Sequence, residues 1–223
     1  MLEKHVEYNG IEAQIRIPDE PTGLVFIAPG AQISTNAPLI QAIANAHEDR
    51  GMATVIANLG GSELEMNDPF NVHKHFTAGL EAVIDGYMKD NAYKPDQFEL
   101  TGHSMGGAAV MSVAKNHPVS SITALDPTPV HTDVLTNIDS PTTIIISDVR
   151  SFKNSGRRMF SELEPTGMAH ELHEIATSKD RNSGHMFEGQ EHAVADVIRN
   201  QTPPSHDLDT PSPKDDSDSA LEL

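Results

Sequence analysis

Gly102-His103-Ser104-Met105-Gly106-Gly107 is the stretch of this 223-residue chain whose residue types and spacing point to covalent chemistry. A G-x-S-x-G pattern says little alone; its position gives it meaning. QFELT before it reads as a strand and AAVMSVA after it as a helix, so the serine stands at a strand-to-helix reversal, the setting that a nucleophile elbow requires. Glycines at 102 and 106 remove Cβ atoms where such a turn crowds its neighbours, which lets Ser104 hold a strained backbone with its hydroxyl above the sheet. The helix N-terminus behind it adds a positive dipole end. A serine hydroxyl is a poor nucleophile near neutral pH and needs a base that titrates there, which means histidine. The chain holds twelve histidines. His103, inside the elbow, is expected to pack with its side chain pointing away from that of Ser104, and His192 in the final helix is expected to be solvated.

Other chemistries find less support. There is no cysteine, so disulfides, thiolate metal sites, Fe–S clusters and a cysteine nucleophile are excluded. His73-x-His75 would put its rings about 200° apart on a helix, and His170 and His173 would lie on opposite faces of a strand, so neither pair converges on a metal. No nucleotide-cradling glycine loop occurs. The expectation is therefore a site without metal or cofactor. Thirty-three acidic residues against fifteen basic give a net charge of −18, which argues against nucleic acid and anionic membrane surfaces as partners.

The elements that must position Ser104 follow from periodicity. His5–Tyr8 and Ile11–Ile17 flank Asn9-Gly10, a strong hairpin signal, so the chain should open with two antiparallel strands. GLVFIA (23–28) and MATVIAN (52–58) are short continuous apolar runs, as expected of strands buried on both faces. Between them a helix is expected with Asn36 as cap, Pro38 in the first turn, Leu39, Ile40, Ile43 and Ala44 on one face and Gly51 as stop. Val72, Phe76, Leu80, Val83, Ile84 and Tyr87 mark a long helix. Further strands are expected at 97–101, 121–125, 142–147 and 170–176, with helices starting near Met105, Asn154 and Phe187. This alternation predicts an α/β fold: an eight-stranded, mostly parallel sheet with an antiparallel N-terminal hairpin and helices on both faces.

With these residues in place, the sequence resembles the α/β-hydrolase superfamily over nearly all of residues 1–201. GHSMGG is similar to the elbow of cutinase-like, polyester-hydrolase-like and dienelactone-hydrolase-like serine esterases. Pro29-Gly30-Ala31, after the third strand, is similar to their oxyanion loop, which implies backbone N–H donors at Ala31 and Met105. The family order of serine, acid, histidine, with the histidine after the last strand, selects His185 in Ser183-Gly184-His185-Met186-Phe187. Two carboxylates fit the acid. Asp148 follows TTIIIS, where the superfamily usually places it, and is preferred; Asp126 follows SITAL, where lipase-like and chlorophyllase-like enzymes place it, and is the alternative. The stretch from Pro127 to Pro141 is too brief for a lid domain, which implies an uncapped site. Met105 and Met186 are candidates to line an acyl pocket.

The resemblance implies a carboxylic ester hydrolase acting through an acyl-enzyme, on a small-molecule or polymeric ester. A thioesterase or acyltransferase using the same triad, or a non-catalytic hydrolase-fold binding protein, are the alternatives. Residues 202–223, rich in Pro, Ser and Asp, carry six acids and one Lys and are expected to be a disordered tail beside a domain of residues 1–201. No signal-peptide pattern and no run of 18 apolar residues is present, so a cytoplasmic location is expected. Oligomeric state is left open by the sequence.

Overall fold

The computed structural model describes residues 1–60, 69–92 and 97–201, with the side chains of 69–71 outside the description. The acidic tail expected at 202–223 lies outside the described residues. Eight strands form one sheet in the order β1-β2-β4-β3-β5-β6-β7-β8. These are β1 (Leu2–Tyr8), β2 (Ile11–Ile17), β3 (Gly23–Ala28), β4 (Met52–Ala57), β5 (Phe98–His103), β6 (Val119–Leu125), β7 (Thr142–Ser147) and β8 (His170–Ile175). β1 pairs antiparallel with β2, and β2 antiparallel with β4. Every later pairing is parallel. Asn9 and Gly10 both take positive φ (52° and 81°), the backbone that a two-residue hairpin of matched twist needs.

The continuous apolar runs make sense because the sheet is covered on both faces. Along β3, Leu24, Phe26 and Ala28 enter one core and Val25 and Ile27 the other; along β7, Ile144 and Ile146 enter the first and Ile145 the second. The first core receives α2 (Pro69–Asp90) through Val72, Phe76, Leu80, Val83, Ile84 and Tyr87, together with the buried helix α3 (Met105–Ala114). The second receives α1 (Pro38–Asp49) and α7 (Glu191–Arg199). Each fully buried Ile, Leu or Phe contributes about 1.5–3 kcal/mol, so these faces fix the sheet as the rigid base of whatever its loops carry. A short helix α4 (Thr132–Leu135) is the regular element between β6 and β7, in keeping with the absence of a lid domain there.

Several boundaries differ from the sequence reading. Asn36 does not cap α1; Ala37 does, with extended backbone and no side-chain bond, since Pro38 at the first helical position already lacks an N–H to satisfy. Gly51 stops that helix at φ 79°, as expected. α5 (Arg150–Leu163) begins four residues before Asn154. No helix begins at Phe187. Instead Asp180 accepts hydrogen bonds from the backbone N–H groups of Asn182 and Ser183 and starts a short helix α6 (Arg181–His185), while Phe187, at φ 52°, turns wholly into the second core.

Candidate active site

The site sits where β5 reverses into α3. A Cβ at Gly106 would collide with the carbonyl oxygen of Ala28, and one at Gly102 with the Gly106 carbonyl, so this turn closes only around glycine. Ser104 is thereby forced to φ 56°, ψ −118°, a costly conformation for a residue with a Cβ. Its backbone is stitched to β6 and the chain beyond it: Ser104 N–H donates to the Leu125 carbonyl at 2.8 Å, and Thr128 N–H donates to the Ser104 carbonyl at 3.1 Å. Strain is concentrated here. Of the five non-glycine residues with positive φ among those described, Gln32, Ser104, Asp126 and Phe187 all belong to segments of the candidate site, and only Asn9 lies elsewhere.

Asp126 ends β6 at φ 38° with no solvent exposure. Its carboxylate accepts the Ser147 N–H at 2.8 Å on Oδ1, and the Ser147 hydroxyl at 2.6 Å and His185 Nδ1 at 3.1 Å on Oδ2. Because a carboxylate accepts, Nδ1 of His185 donates, and in the neutral ring this leaves the lone pair on Nε2, the tautomer a general base needs. His185 closes α6 and is half-buried, with Asp180 holding the other end of that helix.

Asp148, the carboxylate preferred from the sequence, is not at His185. Lys153 Nζ donates to it at 2.8 Å and also meets Glu174 at 3.0 Å, and the Asp148 side chain is 35% exposed. Lys153, by hydrogen bond and charge, holds the Asp148 carboxyl below the usual range. Register separates the two carboxylates. Leu125 is paired with Ile145, so the residue after β6 comes level with the end of β7 and meets the Ser147 donors, while the residue after Ser147 is carried past the sheet into the cationic start of α5.

His103 packs as expected, but with a task the sequence did not disclose. It is wholly buried, and its Nε2–H donates to the backbone carbonyl of His185 at 2.9 Å. Burial foremost, and then the proximity of His185, lower its pKa to about 3, so it is neutral. His185 is thus held twice, by its ring through Asp126 and by its backbone through the residue next to Ser104. Among the described residues the Ser104 hydroxyl makes no hydrogen bond to His185; a base of this kind closes on its nucleophile in the substrate complex. Phe152 on α5 stacks on the His185 ring with centroids 3.9 Å apart. Ser147 and Phe152 were not singled out from sequence, since a serine closing an apolar strand and an aromatic in a helix carry no distinguishing pattern.

The oxyanion-loop segment is also nearby. A Cβ at Gly30 would come within 2.9 Å of the Ser104 Cβ, so the loop carrying Ala31 passes directly against the elbow. A Cβ at Gly60 would come within 2.9 Å of the Gln32 nitrogen, so a second glycine admits that loop from the side of β4. Met105 opens α3, whose first N–H groups lack partners within the helix. Its side chain belongs to the first core and its sulfur accepts the Thr128 hydroxyl at 3.3 Å, while Met186 is half-buried. His73 bonds Ser112 on α3, and His75 and His192 are exposed.

No family model matches the chain, and no curated protein matches its sequence. Solved structures do match its fold. A dienelactone hydrolase from Anabaena variabilis superposes with a TM-score of 0.73 at 20% identity, over 89% of this chain and 94% of that one. Est1E from Butyrivibrio proteoclasticus gives 0.71 at 16% identity, over 88% and 96%. An α/β serine hydrolase without a lid from Xanthomonas campestris gives 0.67 at 14% identity, over 90% and 97%. At these identities the likeness concerns the arrangement of strands and helices; the chemistry rests on this chain's own residues.

Proposed function

Taking the α/β-hydrolase fold as the premise, we propose that the protein is a serine hydrolase of carboxylic esters working through an acyl-enzyme. The observation that carries this reading is the contact of the half-buried His185 with the wholly buried Asp126, joined through His103 to a serine in a strained elbow. Ser104 attacks the ester carbonyl as His185 Nε2 takes its proton. Asp126, rather than Asp148, keeps the proton on Nδ1 and stabilises the imidazolium. His185 then returns its proton to the leaving alcohol, and water repeats the sequence on the acyl-enzyme, regenerating Ser104. The backbone N–H groups of Ala31 and Met105 are the proposed oxyanion donors, each worth roughly 3 kcal/mol in the transition state. Esters are favoured as the substrate class because the structural neighbours include a dienelactone hydrolase and a carboxyl esterase.

A fluorophosphonate probe tests the reading. Wild-type protein should be labelled at Ser104 and should hydrolyse a chain-length series of aryl esters, with Ser104→Ala inert in both assays. Labelling that persists in Ser104→Ala, or a wild type that reacts with neither probe nor ester, would contradict it.

A further inference from the structure

The segment after β7 gives His185 no acid, yet it gives it a ring. Phe152, in the first turn of α5, lies on the imidazole with planes only 6° apart at a centroid distance of 3.9 Å. His103 lies 4.6 Å from the same imidazole, tilted by 35°. The two neighbours differ chemically. His103 is buried and neutral, and serves through its N–H to the His185 backbone. Phe152 presents an electron-rich face, and a cation over such a face is attracted by the ring quadrupole. When the neutral His185 ring takes the serine proton it becomes a cation, so this attraction lowers that transition state more than the ground state.

Among the described residues, the charged side chain within ion-pair distance of the His185 ring is Asp126, on Nδ1. Lys153 on α5 is tied to Asp148 and Glu174, Arg150 is exposed, and Asp180 is bound to the N–H groups of its own helix. We infer that Phe152 is a positioning residue for His185: its ring fixes the plane of the imidazole, shields the face it covers from water, and stabilises the imidazolium formed during proton transfer. This rests on Ser104 and His185 acting as nucleophile and base.

Two substitutions separate this role from simple space filling. Phe152→Leu keeps an apolar cover and removes the aromatic face, whereas Phe152→Tyr keeps both. On an aryl ester, kcat and kcat/KM should fall together by about fivefold in Phe152→Leu with KM unchanged, and Phe152→Tyr should return to within about twofold of wild type. In parallel, the His185 ring protons are followed by NMR, assigned by comparison with His185→Gln. They should be shifted upfield by the phenyl ring in wild type and in Phe152→Tyr, and lose that shift in Phe152→Leu. Equal kcat in Phe152→Leu and wild type, or identical His185 ring shifts in the two, overturns the inference and leaves the hydrolase reading standing. A wild type that neither hydrolyses esters nor reacts with fluorophosphonate overturns that reading, while the NMR comparison still decides whether Phe152 governs His185.

Discussion

Asp126 and Asp148 are alike in sequence and opposite in structure. Each follows an apolar strand, β6 or β7, at the end of the sheet where the elbow turns. Asp126 is sealed from solvent, at positive φ, with its oxygens taken by two donors from Ser147 and one from His185. Asp148 is one-third exposed and neutralised by a lysine five residues on. A carboxylate that is to orient an imidazole must be desolvated and fixed, with its charge compensated by directed donors rather than by a mobile ammonium group. The first environment meets those conditions and the second does not, so the comparison turns on the donors each strand end offers.

The largest effects should follow removal of the groups that Asp126 serves. Ser104→Ala and His185→Ala should each lose more than about 10³-fold in ester hydrolysis, and the double variant should lose little more, because the residues act as a unit. A multiplicative loss in the double variant would separate them and break the Asp126 side of the comparison. Next comes Ser147→Ala, which leaves Asp126 one donor short. We expect kcat/KM to fall about tenfold and unfolding free energy by about 1.5–3 kcal/mol, the range for a hydrogen bond to a charged group, read from denaturant titration. Unchanged rate and stability would show that the Ser147 hydroxyl does not fix Asp126.

The smallest effect belongs to the other side. Lys153→Met should leave ester hydrolysis within about twofold of wild type and lower the thermal midpoint by less than about 4 °C at neutral pH. Asp148 has its pKa lowered by Lys153, so this modest stabilisation is present above about pH 4 and is lost as pH falls through the lowered value. The midpoints of wild type and Lys153→Met should therefore converge on acidification. A large rate loss in this variant would draw Asp148 back into the site.

Much of this architecture was legible because burial on both faces leaves an unmistakable pattern. GLVFIA and TTIIIS are continuous apolar runs for that reason, and Asn9-Gly10 declares its hairpin through the left-handed backbone it favours. The tight strand-to-helix turn at Ser104 was legible because steric necessity puts glycine at 102 and 106. The carboxylate that bonds His185 was not, since whether Asp126 or Asp148 reaches it depends on how far β6 runs relative to β7, and register between parallel strands joined by a long connection leaves no local mark. Asn36 and Asn154 failed as boundaries for a related reason: Pro38 made a side-chain cap on α1 unnecessary, and α5 starts directly from Val149. His103 and Phe152 were beyond reach because their roles exist only once α5, α6 and the elbow converge on one imidazole.

We propose that the imidazole is oriented from the end of β6. The most direct measurement of this is kcat/KM on one aryl ester for Asp126→Asn and Asp148→Asn side by side, with folding of both verified by circular dichroism. Asparagine preserves shape but favours the wrong imidazole tautomer, so Asp126→Asn should fall by about 10³–10⁴-fold while Asp148→Asn stays within about threefold of wild type. A crippled Asp148→Asn beside a near-normal Asp126→Asn would contradict the account.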